Sequence, residues 1–106
     1  MSGSGGSVYD PEPPQTSCDK LAFATILNSP VPAVVKRIKK DDVLDVALQQ
    51  RGAVQVVVVL HQGDVAGAIT ADVLPQLISC IESGHKYEAE VRGVAGSKVD
   101  VHVRKK

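Results

Sequence analysis

The cysteines Cys18 and Cys80 and the histidines His61, His85 and His102 are the residues best able to ligate a metal or act as nucleophile and base. Zinc sites commonly take two ligands from one short stretch, as C-x2-C or H-x3-H, because that spacing fixes both on one turn. No pair here is spaced in that way. His61 falls in a hairpin tip and His102 on the outward side of the last strand, so no metal centre and no cofactor is expected. The stretch "SCIESGHKYEAEV", residues 79–91, concentrates a thiol, an imidazole and carboxylates. A nucleophilic cysteine wants a lowered pKa, which a helix N-terminus supplies. Cys80 lies near the end of a helical pattern, where the dipole opposes a thiolate, and a small buried thiol is the commoner use of such a position. With only two cysteines and no secretory leader in view, both are expected to be free thiols in a reducing cytoplasm.

The next candidate is electrostatic. Lys36, Arg37, Lys39 and Lys40 crowd one short stretch and could contact phosphates without reading sequence. Asp41 and Asp42 follow at once and weaken the field, and a solvated helix end would look the same. Glu88, Glu90, Arg92, Lys98, Asp100 and His102 form a charged band in which Glu90 is expected opposite Asp100, a like-charge pair that costs stability, and the band is read most simply as a solvated, salt-bridged face. "GDVAGAIT", residues 63–70, is not a phosphate-binding loop, since no Lys-Ser/Thr follows the second glycine. No nucleophile–base pair emerges, so the chain is not expected to be an enzyme.

The elements that carry these residues can be read from periodicity. "KLAFATILNS" alternates as a strand, with Leu21, Phe23 and Thr25 on one face and Ala22, Ala24 and Ile26 on the other. "SPVPAVVKRIKK" predicts a short helix capped by Ser29, with Val31, Val34, Val35 and Ile38 on one face. Residues 42–50 alternate through Leu44, Val46 and Leu48. "VQVVVVL", residues 54–60, is apolar on both faces and must be covered on both. A two-residue turn at Gln62-Gly63 would pair Leu60 with Val65, Val58 with Gly67 and Val56 with Ile69. Gly67 itself suggests a bulge or the close approach of another backbone.

A longer helix follows, with Asp72 as its N-cap and Val73, Leu74, Leu77, Ile78 and Ile81 as its buried stripe. Gly84 ends it. The last two strands would pair 91 with 99, 89 with 101 and 87 with 103 around the loop Val94-Ala95-Gly96. The order β–α–β–β–β–α–β–β, rich in short strands, predicts an α+β, mainly β fold: a small OB-like barrel of about six strands with two helices.

Composition bounds the rest. The chain has 106 residues, enough for one domain. Residues 1–17, Gly/Ser-rich and then Pro-rich, are expected to be a disordered tail, 18–104 the barrel and 105–106 a frayed end. Formal net charge is zero, from 12 basic and 12 acidic residues, which gives no overall support to a dedicated nucleic-acid binder. No apolar run is long enough to span a bilayer, so a soluble cytoplasmic protein with no membrane partner is expected. Aromatics are limited to Tyr9, Phe23 and Tyr87, which disfavours a pocket built on aromatic platforms.

Across residues 38–91, "IKKDDVLDVAL", "VQVVVVLHQGDVAGAIT" and "LPQLISCIESGHKYEAEV" resemble HIRAN domains. The shared pattern is a strand after an acidic turn, a hairpin with Gly63, Gly67 and Ile69, a helix, a glycine stop and an extended strand. The resemblance implies an OB-like module. It also implies single-stranded DNA ends as ligand, which some HIRAN domains hold through aromatic and basic residues. Here the folded part carries only Phe23 and Tyr87, both in phase with apolar neighbours. The function expected is therefore a non-enzymatic nucleic-acid-binding module working through Lys36, Arg37, Lys39 and Lys40. The alternative is a protein-interaction module or small homo-oligomer.

Overall fold

The computed structural model describes residues 17–106. The expected tail over 1–17 therefore lies outside the described residues except for Ser17. A single turn of 3-10 helix, Cys18–Lys20, leads into β1 (Ala22–Ile26), followed by α1 (Pro32–Val35), β2 (Val43–Arg51), β3 (Val54–His61), β4 (Asp64–Ile69), α2 (Leu74–Glu82), β5 (Tyr87–Ala95) and β6 (Lys98–Lys105). The six strands form one antiparallel sheet in the order β1-β6-β5-β2-β3-β4. The fold is mainly β with two helices, in the element order read from the sequence. The sheet curls on itself without closing by a full ladder. Its two outer strands meet at one bridge beyond β1, where Asn28 and Ala68 exchange backbone hydrogen bonds of 2.8 Å each way.

Alternation explains which side of each strand goes inward. Leu44, Val57, Val59, Ile69, Tyr87, Ala89, Val91, Val99, Val101 and Val103 line the core, with Val46, Leu48 and Phe23 partly buried against it. Val57, Val58 and Val59 are all fully buried, as a strand apolar on both faces requires. The α2 stripe of Leu77 and Cys80, flanked by Val73, Leu74, Ile78 and Ile81, packs into the same core. At its end Gly84 takes φ 102°, its N–H bonds to the Ile81 carbonyl and the His85 N–H to the Cys80 carbonyl. That pair of bonds is a Schellman cap, which needs a left-handed residue at the position glycine fills.

Several local expectations are corrected. Ser29 does not cap α1. It has φ 49°, its hydroxyl donates to Asn28 Oδ1, and the helix begins three residues later with Val31 as an uncapped N-cap. Val31 is therefore exposed, while Val34, Val35 and Ile38 are buried as expected. Asp72 yields the N-cap of α2 to Val73, which makes no side-chain cap, and Pro75 sits in the first turn.

The β3–β4 turn at Gln62-Gly63 is as read, with both residues at positive φ. A bulge then shifts the register by one, so that Val59 faces Gly67 and Val57 faces Ile69. The reason lies at Gly67: a Cβ there would stand 3.1 Å from both the Asn28 carbonyl oxygen and the Leu27 Cβ. Glycine lets the Leu27–Asn28 segment come in to form the closing bridge without crowding.

A second bulge, at Arg92, changes the last hairpin. Val91 faces Val101, Ala89 faces Val103 and Tyr87 faces Lys105, and the turn is the two residues Gly96-Ser97. At the C-terminal end β6 runs through Lys105, and the Lys106 N–H donates to the Lys86 carbonyl.

Candidate nucleic-acid interface

The four basic residues fall on the connection from α1 to β2. The chain leaves α1 through backbone bonds from Lys36 to Pro32, Arg37 to Val34 and Ile38 to Val35, and Ile38 is buried as an anchor. A tight turn follows. The Asp42 carboxylate accepts from the Lys39 N–H at 2.9 Å, and the Asp42 N–H donates to the Lys39 carbonyl at 3.1 Å. Asp41, at φ 78°, donates its N–H to the Val91 carbonyl, and the Val91 N–H donates to the Asp42 carbonyl, both at 2.8 Å. The connection is thereby stitched to β5, and Lys39 and Lys40 project from a held backbone.

The four side chains are all exposed but not equivalent. Arg37 is committed to Asp64 across the β3–β4 turn, at 2.8 Å. Lys36, Lys39 and Lys40 form no ion pair among the described residues. The Arg37–Asp64 pairing could not be anticipated from spacing, because it depends on where the hairpin tip lands. Three point charges, two on a fixed turn and one at the end of α1, can neutralise phosphates. They cannot read bases, and among the described residues no aromatic platform stands beside them: Tyr87 is buried and Phe23 packs against the core.

The charged band lies elsewhere, on the outer face of β5 and β6, and the Arg92 bulge rearranges it. Glu88 faces Arg104 and Glu90 faces His102, so the like-charge pair expected between Glu90 and Asp100 does not form. Arg104 bridges both carboxylates, with Nε to Glu88 at 2.8 Å and Nη1 to Glu90 at 2.7 Å, while Arg92 reaches Glu90 at 3.2 Å. The Arg104 hydrogen bond, with help from the Arg104 and Arg92 charges, holds the Glu90 carboxyl below its ordinary value against the opposing effect of burial. A depressed carboxyl stabilises the fold fully above its unfolded value and loses that contribution as pH falls through the folded value. Wild-type stability, followed by denaturant titration, is therefore expected to fall as pH drops below 4.5 with a component that Glu90→Gln lacks.

The thiols are not free. Cys18 and Cys80 form a disulfide, Cα to Cα 5.6 Å, that ties the segment before β1 to the last turn of α2. This overturns the reading of two reduced cysteines: the fold brings together residues 62 apart in sequence, one just before β1 and one in the last turn of α2. The Tyr87 hydroxyl donates to the Cys18 carbonyl at 2.6 Å, and Asp19 pairs with Lys105 at 3.3 Å. Burial, with the Asp19 charge adding, raises the Tyr87 pKa, so the phenol stays a donor. No three of His, Cys, Asp and Glu converge on a possible metal position among the described residues.

Fold and surface together define a small antiparallel β module with a lysine-bearing turn and a disulfide. No helix among the described residues is long and apolar enough to cross a membrane. The chain matches no family model, and no curated protein or solved structure is significantly similar to it.

Proposed function

We propose that the protein is a non-enzymatic nucleic-acid-binding module that holds single-stranded nucleic acid by its phosphates, through Lys39 and Lys40 with Lys36 beside them and Arg37 as a partly committed fourth contact. The observation that carries this is a set of three lysines without acidic partners among the described residues, Lys39 and Lys40 on a turn whose backbone is hydrogen-bonded to β5 and Lys36 at the end of α1. The HIRAN-like, OB-like pattern adds support through the order of strands and helices, but brings no base-stacking residues with it. Binding is accordingly weak, indifferent to sequence and steeply salt-dependent. Fluorescence anisotropy with a labelled single-stranded oligonucleotide tests it. Three phosphate contacts give a slope of log K against log salt of about −2 for single strands. Lys36→Ala, Lys39→Ala and Lys40→Ala combined should abolish the low-salt signal. Absence of binding by the wild type at low ionic strength would remove this reading.

The alternative, a protein-interaction module or small homo-oligomer, draws on different residues. Val43, Val54 and Ile26 are exposed at 53%, 60% and 45% on strand surfaces. A cytoplasmic place of action belongs with the nucleic-acid reading. The Cys18–Cys80 bond opposes it, because cytosolic thiols are normally kept reduced. Alkylation of free thiols at the moment of cell lysis decides between them: two labelled cysteines fit the cytoplasm, none an oxidising compartment.

A further inference from the structure

We infer that the free edge of β1 is a self-association surface, at which two copies of the chain pair β1 to β1 antiparallel about a two-fold axis through Ala24. The inference stands apart from the phosphate reading and uses none of its residues.

The hydrogen-bond phase of β1 shows which groups are free. Leu27 donates to Val99 of β6, whereas Asn28 donates to and accepts from Ala68 on the other side. Alternation along an antiparallel ladder then turns the N–H and C=O of Phe23 and Thr25 toward β6, and those of Ala22, Ala24 and Ile26 away from it. These outward groups form no backbone hydrogen bond with any other described segment, and all three residues are exposed.

Exposed edges are normally blunted by charge, proline, a bulge or a cover. The opposite edge, β4, has all but the proline: Asp64 at its start, a bulge beside Gly67, and cover from Asn28 and from Val31, whose N–H bonds to the Ala66 carbonyl. The β1 run, "LAFATILNS" from Leu21 to Ser29, has none of them until Asn28.

The occupant that fits is a second copy. Pairing about Ala24 sets Ala22 opposite Ile26 twice and Ala24 opposite itself, with small side chains at the axis. Charge does not oppose it. The edge is neutral, the groove beside it (Ala24, Ile26 and Val101) carries one cation, Arg92, and one anion, Asp100, and the whole chain has zero formal net charge. A five-residue contact is smaller than a permanent dimer needs, so the association is reversible and concentration-dependent.

Sedimentation equilibrium of the full chain, from micromolar to millimolar, reads this directly. The wild type should shift from monomer to dimer. Ile26→Lys, which puts a charge on the edge, and Ala24→Pro, which removes an outward N–H without breaking a bond to β6, should each remain monomeric with unchanged circular dichroism. In an aligned pair the Ala24 Cα atoms lie about 5.5 Å apart, within disulfide range. Ala24→Cys should therefore oxidise to a covalent dimer on the order of tenfold faster than Val54→Cys, an exposed site off the edge. A wild type that stays monomeric throughout, a dimer that survives Ile26→Lys, or equal cross-linking at the two cysteine sites would each overturn the inference.

Discussion

Reducing the Cys18–Cys80 bond is expected to cost about 4 kcal/mol of folding stability, from the loss of closure of a loop of roughly 60 residues in the unfolded chain. For a domain of this size that corresponds to a fall in Tm of some 15 to 30 °C, on the order of 4–8 °C per kcal/mol. The position of the bond accounts for why so few other contacts could substitute. β1 is an outer strand, joined laterally to β6, and the segment beyond it meets β4 through the Asn28–Ala68 bridge and the Val31 bond to Ala66. The turn ahead of it is held by the disulfide, the Tyr87 hydroxyl and the exposed Asp19 ion pair. A surface ion pair contributes little, and the single hydrogen bond about 1 kcal/mol.

Two measurements separate cross-link from packing. Thermal unfolding of the wild type with and without a dithiol reductant isolates the covalent constraint. Cys80→Ala adds the loss of a buried sulfur and should be less stable than the reduced wild type. Equal Tm values in both redox states would show that the bond contributes nothing.

The bond also shows what periodicity can and cannot see. The helical stripe from Val73 to Ile81, the stop at Gly84 and the two-residue turn at Gln62-Gly63 were legible, because each depends on residues a few positions apart whose chemistry admits one conformation. Cys18 and Cys80 are brought together only when β1 and α2 are placed against a common core, a long-range consequence of the whole sheet order. Gly67 did point to a bulge or a close backbone approach, and both are present, but the register shift it brings, and the whole of the Arg92 bulge, were hidden for a different reason. Register is read from which residues must be buried, and "DVAGAI" is small or apolar at nearly every position, so a one-residue slip leaves the pattern looking equally good. In "YEAEVRGVAGSKVDVHVR" the valines on both sides of Arg92 mask the extra residue in the same way.

The candidate site was legible as a basic run in the sequence. Its division into three lysines without an ion pair among the described residues and one tethered arginine was not, since the Asp64 that claims Arg37 belongs to a distant hairpin. The charged band shows the same limit. Its residues were identified, but their partners changed with the bulge, and the expected repulsion between Glu90 and Asp100 gave way to a shared Arg104.

The close approach at Gly67 leads to the second large effect. Gly67→Val is expected to destabilise by about 3 kcal/mol, at the upper end of overpacking costs. The glycine sits opposite Val59 on the core side, and a Cβ would press at 3.1 Å on a backbone oxygen as well as on Leu27, which is itself buried. A flexible side chain could swing aside, but the Asn28 carbonyl cannot move without giving up its bond from Ala68. Gly67→Ala should cost less, about 1 kcal/mol, since a shift of a few tenths of an ångström accommodates one methyl.

The strain has a defined outlet, because among the described residues the outer strands share one ladder contact, the one beside Gly67. Hydrogen exchange therefore carries the decisive reading. In Gly67→Val the amides of Asn28 and Ala68 should lose protection well before those of β5 and β6, opening the sheet at its seam while the rest of the core holds. Uniform loss of protection across all strands would instead mean that the seam and the core unfold as one unit.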